Sequence, residues 1–140
     1  MGEARILVID DEPMIRHMIA RILERAGYLT VCAANGVQGL ACFRRERPSL
    51  VITDIIMPER EGIETIRQLL REGPGTPIIA ISGGTRAGAA DFLAMARELG
   101  ASAILRKPFE PLDLLEHVER CLETGQTIAR VSFSVADPRD

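Results

Sequence analysis

Tryptophan is absent from the 140-residue chain, tyrosine occurs once, and aromatic residues make up only 4% of it. So thin a supply excludes the stacking platforms that hold single-stranded nucleic acid. Basic blocks are also missing, and the formal charge is −3, so the domain lacks an electrostatic footprint for direct nucleic-acid binding. Cys32, Cys42 and Cys121 have no short paired spacing. That argues against a zinc site or a disulfide frame, and the three are expected as small, buried or half-buried residues in a reducing cytoplasm. No apolar run approaches the roughly 20 residues of a membrane span, and the opening Met1-Gly2-Glu3-Ala4-Arg5 carries no signal-peptide core. A soluble, cytoplasmic protein without membrane contact is the expectation.

What remains is an ordinary globular composition, 46% hydrophobic and 26% charged, at a length that suits one domain. Ile6-Leu7-Val8-Ile9 is a continuous apolar run, as in a strand covered on both faces. It ends in Asp10-Asp11-Glu12, and Pro13 then suits the first turn of a helix. From Met14 to Ala26 a helical stripe of Met14, Ile15, Met18, Ile19, Ile22 and Leu23 predicts an amphipathic helix, with the Met14-Met18 pair packed in the core and Gly27 as its stop. A short strand is predicted over 28–33, and Asn35-Gly36 is a turn and helix entry. A second helix over 37–47 is expected to turn Val37, Leu40, Ala41 and Phe43 inward.

Leu50-Val51-Ile52-Thr53-Asp54 reads as the third strand, stopped near Asp54 because Pro58 cannot donate a ladder hydrogen bond. A helix over 62–72 carries Ile63, Ile66, Leu69 and Leu70, and the fourth strand runs over 77–82 to Ser82. A fourth helix is expected from near Gly88 to Leu99, a fifth strand over 103–107, and a fifth helix over 112–123 with Leu112, Leu114, Leu115, Val118 and Leu122. Five strands alternating with five helices predict an α/β fold, a doubly wound parallel sheet with right-handed crossovers. Residues 1–124 make that domain. Residues 125–140 are expected as a C-terminal tail or linker, either an extra strand over 127–135 or disordered.

Ligands of an open parallel sheet gather at the carboxyl ends of its strands. Those ends carry Asp10-Asp11, Asp54, Ser82 and Lys107. Three acids brought together repel, and oxygen ligands with room for water suit Mg²⁺. Lys107 offers a compact charge, Ser82 a hydroxyl, and Gly83 beside it leaves backbone amides approachable. These are the parts that phosphoryl transfer requires, and Asp54, with the most apolar surroundings, is the candidate nucleophile for an acyl phosphate.

Asp10-Asp11-Glu12-Pro13, Thr53-Asp54-Ile55-Ile56-Met57-Pro58, Ile81-Ser82-Gly83 and Leu105-Arg106-Lys107-Pro108-Phe109 together resemble the receiver domain of two-component response regulators, over about residues 5–124. The resemblance implies the CheY-like, flavodoxin-like sheet order 2-1-3-4-5. It implies that Asp54 accepts phosphate from a sensor histidine kinase or histidine phosphotransfer protein. Asp11 is then the principal Mg²⁺ ligand, joined by Asp54 and the backbone carbonyl of Ile56, while Asp10 acts through bound water. Ser82 closes on the phosphoryl group and Lys107 pairs with it, so that a signalling switch rather than an enzyme results. The output is a changed face of helix four, strand five and helix five, read by a downstream protein or a further output domain. Three positions depart from the best-known members: Ile104 stands where the family has a switch aromatic, and Ile56 and Gly84 lack polar side chains.

Singly, Ser82 reads better as a helix cap, and Lys107 is evenly balanced between a solvated strand end and a counter-ion; together on one rim those readings fail. His17 and His117 are expected at or near the surface without metal-ligand spacing. An aspartyl-phosphate hydrolase would want a second acid where Ile56 stands. A flavin or nucleotide carrier would be repelled by Asp10-Asp11-Glu12.

Overall fold

The computed structural model describes residues 4–55, 61–83, 94 and 96–131. Ile56, Pro58, Gly84, the start of the fourth helix and residues 132–140 lie outside them. Strands β1 (Arg5–Ile9), β2 (Leu29–Ala33), β3 (Leu50–Asp54), β4 (Ile78–Gly83) and β5 (Ala103–Lys107) alternate with helices. The helices are α1 (Pro13–Arg25), α2 (Gly36–Glu46), α3 (Glu61–Glu72), α4 (helical residues 94 and 96–99) and α5 (Pro111–Val131). All strand pairs are parallel, in the order β2-β1-β3-β4-β5. The expected doubly wound sheet is therefore observed.

Alternation along the strands sorts the core into two layers. Leu7, Ile9, Val51, Ile78 and Ala80 face α2, α3 and α4, where they meet Phe43, Ile63, Ile66, Leu69 and Ala96. Ile6, Val8, Leu50, Ile52, Ile79 and Ile81 face α1 and α5, where they meet Ile19, Leu23, Leu114 and Val118. β1 and β3 are thus covered on both sides, which is why Ile6–Ile9 and Leu50–Ile52 read as unbroken apolar runs. Helix ends follow the local chemistry. Gly27 takes φ +98 just past α1, and the Asn35 side chain accepts the Gln38 backbone N–H at 2.8 Å to cap α2. Asn35→Ala is expected to cost about 1 kcal/mol, measured by urea unfolding.

Several sequence expectations are corrected. Met14 is 84% exposed and Met18 41%, so this pair is not core. Val37 and Leu112, at 77% and 71%, also face outward. Met14, Val37 and Leu112 occupy the first turns of α1, α2 and α5, which begin at the carboxyl rim of the sheet where little backbone lies beneath them. In α2 the buried residues are Gly36, Gly39, Cys42 and Phe43, not Val37 and Ala41. A Cβ on Gly39 would come within 2.5 Å of Ile9 Cδ1, so the helix approaches the sheet through its glycines, a face that hydrophobicity does not mark. Cys32 is exposed, while Cys42 and Cys121 are buried as expected. Residues 127–131 belong to α5 and are not an extra strand.

Candidate phosphoacceptor and metal site

Register places the charged residues before any contact is considered. Asp54 pairs with Ile81, and Ile81 with Leu105. Lys107 lies two residues past Leu105 and shares its face, so the lysine stands on the Asp54 side of the rim. Its Nζ donates to Asp54 Oδ2 at 3.1 Å and to Asp10 Oδ2 at 3.3 Å. Asp10 and Asp54 are only 1% and 4% exposed, and Asp11 is exposed beside them. One carboxylate oxygen from each of the three lies within 4.8 Å of the others.

Burial pushes the Asp10 carboxyl above its usual range; the Glu12 backbone N–H and Lys107 oppose that rise, and the charge of Asp54 adds to it. Burial also works against charge on Lys107, but Asp54 and Asp10 outweigh it and hold the ammonium above its ordinary pKa. At Asp10 burial therefore outweighs the help of Lys107, while at Lys107 the two acids outweigh burial.

The supporting contacts are local. The Glu12 backbone N–H donates to Asp10 Oδ1 at 2.9 Å, so the chain leaving β1 folds back on its own acid. Arg16 Nη1 donates to the Asp10 backbone carbonyl at 2.7 Å and ties the first turns of α1 to the strand end. Arg16 stands one turn past Glu12 on α1, and the hydrophobic stripe of that helix gives no sign of this inward bond. Thr53 Oγ1, fully buried, donates to the Asp54 carbonyl at 3.1 Å. Ser82 follows Ile81 at the end of β4 and is fully buried, and its Oγ has no hydrogen-bond partner among the described residues.

The structure brings Asp10, Asp11, Asp54 and Lys107 together. Ser82 reaches the same rim without bonding to the acids, and Ile56 lies outside the described residues. Ile104 is partly buried against the α3 and α4 layer and pairs in register with Ala80.

The family model of the response regulator receiver domain matches residues 6–119. The chain belongs to that family. Receiver domains are parts of response regulators, the signalling proteins of two-component systems, and similar proteins accord with this one. A "DNA-binding response regulator MtrA" from Mycolicibacterium smegmatis is 32% identical over 95% of this chain and 57% of its own length. A "Protein-glutamate methylesterase/protein-glutamine glutaminase 3" from Hahella chejuensis is 35% identical over 90% of the chain and 37% of its own. This receiver domain thus spans about half or less of the length of such relatives. Among solved structures, a CheY-like receiver domain protein from Methanospirillum hungatei superposes with a TM-score of 0.80 at 32% identity, covering 89% of this chain and 98% of that one. NtrX from Brucella abortus reaches 0.86 at 32% identity, over 93% of this chain and 29% of its own. Among the described residues no helix is long and apolar enough to cross a membrane.

Proposed function

We propose that this receiver domain takes a phosphoryl group onto Asp54 from a sensor histidine kinase or histidine phosphotransfer protein, in the presence of Mg²⁺. The observation that carries the reading is the Lys107 ammonium shared by Asp10 and Asp54 within a three-carboxylate cluster. Three carboxylates and one ammonium leave a local charge of about −2, and the donors are hard oxygens, which fits a small divalent cation. Asp11, Asp54 and the Ile56 backbone carbonyl would hold Mg²⁺, with Asp10 acting through water. Bound there, the ion supplies positive charge for the phosphoryl oxygens.

The protein's own share follows from its side chains. An Asp54 carboxylate oxygen forms the new P–O bond as the donor's bond to phosphorus breaks, and the donor leaves with that electron pair. Lys107 is held charged beside the nucleophile and can pair with the incoming phosphoryl oxygens. Ser82 Oγ, buried without a partner among the described residues, is a donor to the same group. Met14, Val37 and Leu112 are exposed in the first turns of helices that begin at this rim, and offer apolar surface to a protein donor. The product biases a two-state equilibrium of the α4, β5 and α5 face, read by a downstream protein or output domain.

Incubation with acetyl phosphate and Mg²⁺ should add one phosphoryl mass, mapped to the peptide bearing Asp54 and lost with a chelator. No adduct, or an adduct elsewhere, would overturn the reading, and turnover of small phosphate esters would favour a hydrolase. The acyl phosphate is expected to last minutes or longer, because Ile56 and Gly84 have no polar side chain to orient an attacking water. Decay within seconds in the purified protein would contradict that.

A further inference from the structure

At the opposite end of the sheet from the acids, a cavity of about 490 Å³ opens beside β5. Its walls come from the ends of α3 and α4, the loop before β4, the start of β5 and the middle of α5. Among the described residues β5 is an edge strand, paired with β4 alone, and the cavity lies along that edge. The volume lies within the range of small-ligand sites.

Its chemistry is one-sided. The chain holds 20 acidic against 17 basic residues, yet among the described residues no acid lines this cavity, whereas Arg97, Arg120 and His117 do. Arg97 is exposed and makes no ion pair among the described residues; Arg120 is already engaged and adds its charge. His117 Nδ1 bonds the Asp113 backbone carbonyl at 2.7 Å, which leaves Nε2 as its second polar atom. Leu70 and Ile104, both packed against the core, give the cavity apolar wall. The exposed Arg97 guanidinium beside an apolar wall favours an anion with an apolar body over a neutral or cationic ligand.

We propose that this cavity is a second ligand site, separate from the aspartate cluster, for a small organic anion. Anilinonaphthalene sulfonate, an apolar anion, is the probe, with uncharged phenylnaphthylamine as its comparison. Titrated into the full 140-residue chain, the sulfonate should bind saturably. Amide NMR shifts should gather on Gly75, Thr76, Gly100, Ser102 and Ile104. The neutral compound should bind about tenfold more weakly, the equivalent of one charged contact. Arg97→Ala should weaken the sulfonate by about five- to tenfold while Arg97→Lys keeps most of the affinity, and neither should alter acetyl-phosphate labelling. Arg97 is exposed, so both variants are expected to fold. Shifts centred elsewhere, equal binding of anion and neutral probe, or unchanged affinity in Arg97→Ala would overturn the proposal.

Discussion

Asp54→Asn is expected to abolish phosphoryl incorporation from acetyl phosphate while leaving the protein folded and, in metal-free buffer, at least as heat-stable as the parent. The amide is not a nucleophile toward phosphorus, so the loss should be complete rather than graded. Stability should not follow activity down, because Asp54 stands among like charges. Two carboxylates within 4.8 Å repel by on the order of 3 kcal/mol at an effective dielectric near 20. Lys107 keeps its bond to Asp10 when the Asp54 charge is gone, and the asparagine oxygen can still accept from Nζ. The local charge falls from about −2 to −1, so Mg²⁺ should raise the melting temperature of the parent and hardly move that of the variant. Thermal melts with and without Mg²⁺ check this directly. Residual labelling at position 54, or a variant that melts several degrees lower without metal, would show that the carboxylate has a structural rather than a chemical role.

Legibility in the sequence followed the physics of each feature. The sheet was readable because β1, β3 and β4 are covered on both faces, which leaves apolar runs such as Ile6–Ile9, with the polar residues confined to the strand ends at the rim. The site was readable because a parallel sheet sends every strand end to one rim, so Asp10, Asp54 and Lys107 meet whatever the loops do. Helix faces were less legible. A hydrophobic stripe identifies a helix but not where its sheet ends, and Met14, Val37 and Leu112 continue their stripes past the rim into solvent. In α2 the phase is set by close approach at Gly39, a residue that carries no hydrophobic signal. The inward bond of Arg16 was hidden for a related reason: its partner is the backbone carbonyl of Asp10, and backbone acceptors leave no mark in a sequence.

The second large effect is expected at Gly62, in the first turn of α3. On helix propensity alone, Gly62→Ala should stabilise the protein by about 1 kcal/mol. The structure predicts the reverse. A Cβ at this position would run into the Cα, carbonyl carbon and carbonyl oxygen of Ile55, and backbone atoms cannot swing aside as the end of a side chain can. Ile55 is itself pinned, with its N–H bonded to the Ile81 carbonyl at 3.0 Å and its side chain buried in the core. Either α3 lifts from the sheet or the end of β3 shifts, at a cost toward the upper part of the roughly 1–3 kcal/mol seen for overpacking. After the propensity gain, a net loss of about 2 kcal/mol remains, or a melting temperature lower by roughly 5–10 °C at this chain length. Because Ile55 directly follows Asp54, labelling by acetyl phosphate should slow as well, a coupling that simple destabilisation under folding conditions would not produce. Gly75→Ala is the control: a Cβ there meets nothing within 4 Å, and the change should stay within about 0.5 kcal/mol. Should Gly62→Ala melt at or above the parent temperature, the close seating of α3 on the strand that carries Asp54 would be wrong.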